Sequence, residues 1–183
     1  MRIILCVAST LFLSIIAPAQ TKVSDAEYAV FAAILGEGGS NVVVKGIESV
    51  KIGNGTKAGK DIKVRVPEVR EDTLSNYLTQ ANEAATVELE FPKDMAVTLV
   101  TRNEISVFFQ KDIEAGWKAF YERFPKSNGF YTFSRVGFSK DGTQALVSVG
   151  IHCGSLCGEG HYYLLTKEAE GWKVTGKSMT WIS

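Results

Sequence analysis

A turn signal in the last third of the chain constrains its fold more than any other feature. Residues 130–139 and 144–153 are rich in aromatic and β-branched side chains, and Lys140-Asp141-Gly142-Thr143 separates them. Asp-Gly accepts the positive φ of a type I′ turn, whose twist matches that of paired strands, so the two runs are predicted to form a hairpin. Pairing Lys140 with Thr143 sets Phe138 against Ala145, Val136 against Val147 and Thr132 against Ile151 on an apolar core face. The other face then carries Arg135 against Ser148, Phe133 over Gly150 and Tyr131 against His152. An aromatic covering a strand glycine is a known stabilising pair. A third strand, residues 161–167, turns through Glu168-Ala169-Glu170-Gly171 into a fourth, residues 172–182. Four strands in sequence, each beside the last, make an antiparallel meander.

Helical patterns precede it. Ser24-Asp25-Ala26-Glu27 reads as a capping box, in which the Ser24 hydroxyl and the Glu27 carboxylate satisfy exposed backbone N–H groups. Tyr28, Phe31, Ala32 and Leu35 follow at helical spacing, and Gly36 is expected to end the helix. A second helix, from 72 to about 85, carries Leu74, Tyr77, Leu78 and Ala81. A third, 112–124, stops at Pro125; its Trp117 and Phe120 are expected to lie across the meander. Residues 41–52 and 61–66 read as strands, because in the latter Ile62, Val64 and Val66 alternate with Lys63 and Arg65. A glycine- and lysine-rich loop, 53–60, lies between them, and its Asn54-Gly55-Thr56 reads as a turn rather than a glycosylation sequon. Further strands are expected near 87–91 and 95–101, with a short one at 105–109. No linker or repeat divides the chain. The expected fold class is α+β: N-terminal helices packed on an antiparallel sheet that ends in the four-stranded meander, with a cone-like curl compatible with it.

The N-terminus has the three-part pattern of a secretory signal peptide: Arg2, an apolar run over 3–16, and small residues in Ala17-Pro18-Ala19. Cleavage is expected between Ala19 and Gln20, giving a signal peptide over 1–19 and a single α+β domain over 20–183. The apolar run is shorter than the roughly 20 residues a membrane-spanning helix needs, so no stable membrane insertion is expected after cleavage. The expected location is secreted or periplasmic. A balance of 20 basic and 20 acidic residues, with no basic block, argues against a nucleic-acid partner. A hydrophobic fraction of 45% argues against disorder.

Loss of the leader would remove Cys6 and leave Cys153 and Cys157 in an oxidising compartment, within His152-Cys153-Gly154-Ser155-Leu156-Cys157-Gly158-Glu159-Gly160-His161. Compartment favours a local disulfide stapling this glycine-rich segment. A metal site of two histidines and two cysteines is the competing reading. The redox motif has a shorter spacing than this one. If Cys153 opens the loop opposite His161, alternation sends His152 and His161 to opposite faces of the sheet, whereas a register slip of one residue brings both to one face, so the metal reading needs a particular register. The disulfide is the preferred reading, and no metal and no cofactor is expected.

No hydrolase, metalloprotease or phosphate-loop signature is present. The best polar cluster is Tyr131, Arg135, Ser148 and His152 on one face of the first hairpin, where Arg135 could hold an anion and His152 could move protons. Glu27-Tyr28-Ala29-Val30, the Trp117–Pro125 stretch, Ser134-Arg135-Val136-Gly137-Phe138, Cys153-Gly154-x-Leu156-Cys157-Gly158-x-Gly160 and Trp181-Ile182-Ser183 together resemble a family of uncharacterised secreted bacterial proteins. The resemblance implies a bacterial exported protein and no particular activity. Two functions are open at this point. One is a non-enzymatic binding or interaction module whose partner is a small molecule or a protein. The other is a small pocketed enzyme using Arg135, His152 and Tyr131. They differ in whether those three side chains converge in one cavity.

Overall fold

The computed structural model describes residues 21–37, 42–47, 55–81, 85–86, 91 and 95–183. The signal segment, Asn54 of the Asn-Gly turn, most of the expected 87–91 strand and the flanks of the expected 41–52 strand lie outside them. The protein is α+β, with helices on both faces of a seven-stranded sheet. In chain order the elements are β1 (Thr21–Lys22), α1 (Asp25–Glu37), β2 (Val42–Ile47), α2 (Gly55–Arg65), α3 (Glu71–Gln80), β3 (Ala85–Thr86), β4 (Val97–Leu99), α4 (Arg102–Phe108), α5 (Ile113–Arg123), β5 (Phe130–Phe133), β6 (Gly137–Phe138), β7 (Gln144–Gly154), β8 (Cys157–Glu168) and β9 (Gly171–Ile182). The main sheet runs β4-β2-β5-β7-β8-β9, with β6 alongside β7; β1 and β3 form a separate parallel pair.

The meander is present as β5/β6, β7, β8 and β9, all antiparallel. The rest of the sheet is not antiparallel, which corrects the expected topology: β2 pairs parallel with both β4 and β5. Parallel neighbours require crossover connections, and the helices between β2 and β5 lie in them.

The capping box of α1 forms as read, with Ser24 N donating to Glu27 Oε2 at 3.0 Å and Glu27 N donating to Ser24 Oγ at 3.3 Å. The helix runs one residue past Gly36. Residues 61–66, expected to be a strand, are the end and exit of α2, and the expected loop before them contributes its first turns. Ile62 and Val66 are buried one helical turn apart, while Val64 is 83% exposed. The period-two pattern was a coincidence of a period-3.6 face. The expected strand at 105–109 is likewise replaced by α4, started by a Thr101–Glu104 capping box. The second expected helix is α3, shorter at its C-terminal end than read.

Three apolar clusters hold the layers together. Phe31 and Leu35 of α1 pack on Phe133, Val147, Val149 and Leu165 on one sheet face. Ile62, Leu74 and Tyr77 of α2 and α3 pack on Leu146 and Leu164 on the other. On that second face, beside β2 and β5, α4 and α5 bring Ile105, Trp117 and Phe120 onto Val43 and Phe130. Trp117 stacks on Phe130 with centroids 5.6 Å apart, so α5 does lie across the meander.

The expected single strand over 130–139 is two strands with an interruption. Phe138 faces Ala145 as read, but beyond the interruption Phe133 faces Val149, Thr132 faces Gly150 and Tyr131 faces Ile151. One extra residue therefore lies between Ser134 and Gly137. A one-residue slip moves every later side chain to the opposite face. Phe133 thus enters the core under α1 instead of covering Gly150.

Candidate functional site

The cysteine segment forms a tighter turn than expected. Residues 157–160 belong to β8, Gly154 pairs with Cys157, and the connection shrinks to Ser155-Leu156. Cys153 lies at a register shift between His152 and Gly154. Its sulfur is bonded to that of Cys157, with the two Cα atoms 5.0 Å apart. His161 faces Val149, four positions from the register assumed above. A slip of four residues preserves alternation, so the two histidines still point to opposite faces, away from a common metal. Replacing both cysteines by serine should lower stability by about 2 kcal/mol, the chain-entropy value for so short a loop. Urea unfolding of the double variant measures it, and an unshifted midpoint would show that the hairpin holds the turn closed unaided.

The glycines around this turn form a seat for Trp181. A Cβ on Gly160 would run into the indole ring, and one on Gly158 or Gly150 would lie 3.2 Å or 3.6 Å from it. The glycine-covering device read from the sequence is real, but the covering residue is Trp181 from β9, not Phe133. His152 belongs to the same aromatic layer: its ring stacks on Phe130 at 4.9 Å and lies 5.5 Å from Trp181.

The four polar candidates are not brought together. Ser148 and His152 share the face covered by α2–α5, four residues apart on β7. Tyr131 is on the α1 face, half-buried beside Ile151. Arg135 sits in the interruption between β5 and β6. Its Nε donates to Glu27 Oε1 at 2.7 Å and its Nη2 to Glu27 Oε2 at 3.0 Å, with both side chains over nine-tenths buried. The guanidinium is thus committed to a carboxylate of its own chain.

A cavity of about 790 Å³ opens above that ion pair, between the start of α1, α3 and β6. Its polar wall is largely spent on holding the fold. Asn76 Oδ1 accepts from Phe138 N and Asp72 Oδ2 accepts from Lys140 N, each at 2.8 Å, stapling β6 to α3.

A different group does converge. On the α1 face, beyond the helix, the apolar sheet changes character. Tyr131 comes from β5, Glu159, His161 and Tyr163 from alternate positions of β8, and Lys177 from β9 directly opposite Tyr163. Lys177 Nζ lies 5.2 Å from the centre of the Tyr163 ring, and the imidazole lies 6.1 Å from the same ring. Glu159 Oε1 is 3.9 Å from His161 Nδ1. Burial raises the Tyr131 hydroxyl above its ordinary pKa, and the nearby Tyr163 and Glu159 reinforce this against Lys177. Burial lowers His161, Lys177 adds to that, and Glu159 opposes it, so the imidazole is uncharged at neutral pH. For Lys177 burial works downward, but the Tyr163 hydroxyl and Glu159 outweigh it and keep the amine charged.

Sequence reading found Tyr131 but not its neighbours. Alternation of Glu159, His161 and Tyr163 was the available signal. It went unused because the third strand was read as starting at His161, and the register of β8 was open. Comparison with family models, curated proteins and solved structures finds no match for the chain, so its function is read from this geometry.

Proposed function

We propose that the protein is an exported, non-enzymatic binding module that holds a small polar molecule against Tyr131, Glu159, His161, Tyr163 and Lys177. The observation that carries the reading is His161. It is 6% exposed, yet its Nδ1 has no hydrogen-bond partner among the described residues. A buried polar atom left unsatisfied costs about 1–3 kcal/mol, and a ligand that bonds to it recovers that cost. The separation of Arg135, His152 and Tyr131 supports binding over catalysis by those three. Export is supported by the leader pattern over residues 1–19 and by a disulfide of the kind that persists in oxidising compartments, secreted or periplasmic. Among the described residues no helix is long and apolar enough to cross a membrane.

A metabolite and fragment screen by thermal shift on the mature protein tests this. A ligand at about 100 times its Kd adds about 2.7 kcal/mol to the native state, which in a domain of this size raises Tm by roughly 5–10 °C. The shift should shrink in Tyr131→Phe and Lys177→Met. A screen with no stabilising compound, or a shift untouched by both substitutions, removes the reading. Turnover of the bound compound would replace it with an enzymatic one.

A further inference from the structure

Resting on the reading of this face as a binding site, we infer that its ligand is a small organic monocarboxylate, seated with its charged end at Lys177 and its apolar end on the sheet. Lys177 brings an ammonium that can only donate, with the Tyr131 and Tyr163 hydroxyls and one ring N–H of a neutral His161 as further donors on the same face. The charged acceptor is Glu159, whose side chain is 37% exposed and lies 3.9 Å from His161 Nδ1, favouring the charged Lys177 without forming a salt bridge to it. Lys177 makes no salt bridge among the described residues; its ammonium stands against the face of the Tyr163 ring. A cation flanked by hydroxyl donors is completed by an anion, and charge-assisted bonds of this kind are the strong ones.

The remaining surface narrows the anion. Beside the polar groups the same face presents half-buried Ile151, next to Tyr131, and exposed Met179, opposite His161, apolar surface that suits a hydrocarbon body. One lysine balances one negative charge. A phosphate dianion would meet Glu159 with an uncompensated second charge, and the cluster contains no arginine fork.

Titration calorimetry of the full mature chain with hexanoate and benzoate tests the inference, with hexanamide and benzamide as neutral isosteres and inorganic phosphate as the competing anion. The acids are expected to bind about tenfold or more tightly than the amides. Raising the salt concentration should weaken them, since part of the attraction is between charges near the surface. Lys177→Met should lose about tenfold or more in acid affinity with little change for the amides. Lys177 is exposed on β9, so that variant is expected to fold; Tyr131→Phe serves as a second variant that keeps the ring and removes one donor. Acids and amides binding equally, or phosphate binding best, overturns the carboxylate assignment and leaves the binding face standing. The same holds if none of these probes binds while the screen yields a ligand of another class. If neither probes nor screen yields a ligand, both readings fail together.

Discussion

Glu27→Leu is expected to destabilise the fold by about 3–5 kcal/mol, and Arg135→Met by a comparable amount, while the double replacement regains most of the loss. Each single change removes the opposite charge from beside a side chain that is over nine-tenths buried. The carboxylate is held from several sides: by Arg135, by Val136 N at 3.2 Å and by Ser24 N at 3.0 Å. Removing both charges in favour of apolar side chains of similar volume removes the desolvation cost as well as the attraction. The capping contribution of Glu27 to α1, about 1 kcal/mol, is not regained. Urea unfolding of the four proteins measures the cycle, and strictly additive single losses would contradict it.

The same pair predicts an acid dependence. Burial pushes the Glu27 carboxyl up, but the Arg135 hydrogen bond and the amides of Ser24 and Val136 outweigh it and hold it below its ordinary value. A carboxyl lowered in the folded state contributes stability that is fully present above its unfolded pKa and is lost as pH falls through the folded one. Stability of the wild type should therefore fall more steeply in acid than that of the double variant.

Gly137→Ala is the second large effect, expected at about 1–3 kcal/mol or more. Gly137 lies so close against α3 that a methyl group would overlap Tyr77 at its Cα, Cβ and amide nitrogen. Most of that obstruction is helix backbone, which cannot swing aside as a side chain could. Nor can α3 retreat, because Tyr77 and Leu74 are packed on Leu146 and Leu164, and Asn76 and Asp72 are hydrogen-bonded to the Phe138 and Lys140 amides. Gly36→Ala provides the opposite sign. It sits within the last turn of α1 with open space where its Cβ would be, so alanine should stabilise by up to about 1 kcal/mol through helix propensity. Thermal melts of the two variants separate close packing from a general intolerance of glycine substitution. Equal Tm values for Gly137→Ala and the wild type would rule out so tight an approach.

Features that depend on neighbours in the chain were legible. The Ser24–Glu27 capping box and the Asp112 start of α5 involve groups a few bonds apart and form as read. The turn falls at 140–143 as read, but as a four-residue loop closed by Ser139 and Gln144, with positive φ at Gly142 and not at Asp141, so it is not the type I′ turn expected. Reading failed at residues 61–66, where buried Ile62 and Val66 are four apart and an exposed Val64 between them mimics a strand. It failed also at 105–109, despite a second capping signature at Thr101 and Glu104. Short apolar runs fit either period, and only the layer they pack against decides between them.

For the candidate site the division is sharper. The sequence by itself determined that there is a meander and that Cys153 and Cys157 lie close enough to bond, but it left open the register that decides whether the two histidines share a face. Tertiary structure decided which residues those faces gather. The interruption after Ser134 surrounds Arg135 and Val136, whose guanidinium and amide are taken up by the Glu27 carboxylate 108 and 109 positions upstream. That long-range contact accompanies the extra residue that slips β5 by one. It parts Tyr131 from His152 and sets it on the face of His161 and Lys177. No local pattern encodes such a slip, because it lies where a buried charge meets a partner 108 positions away in the chain.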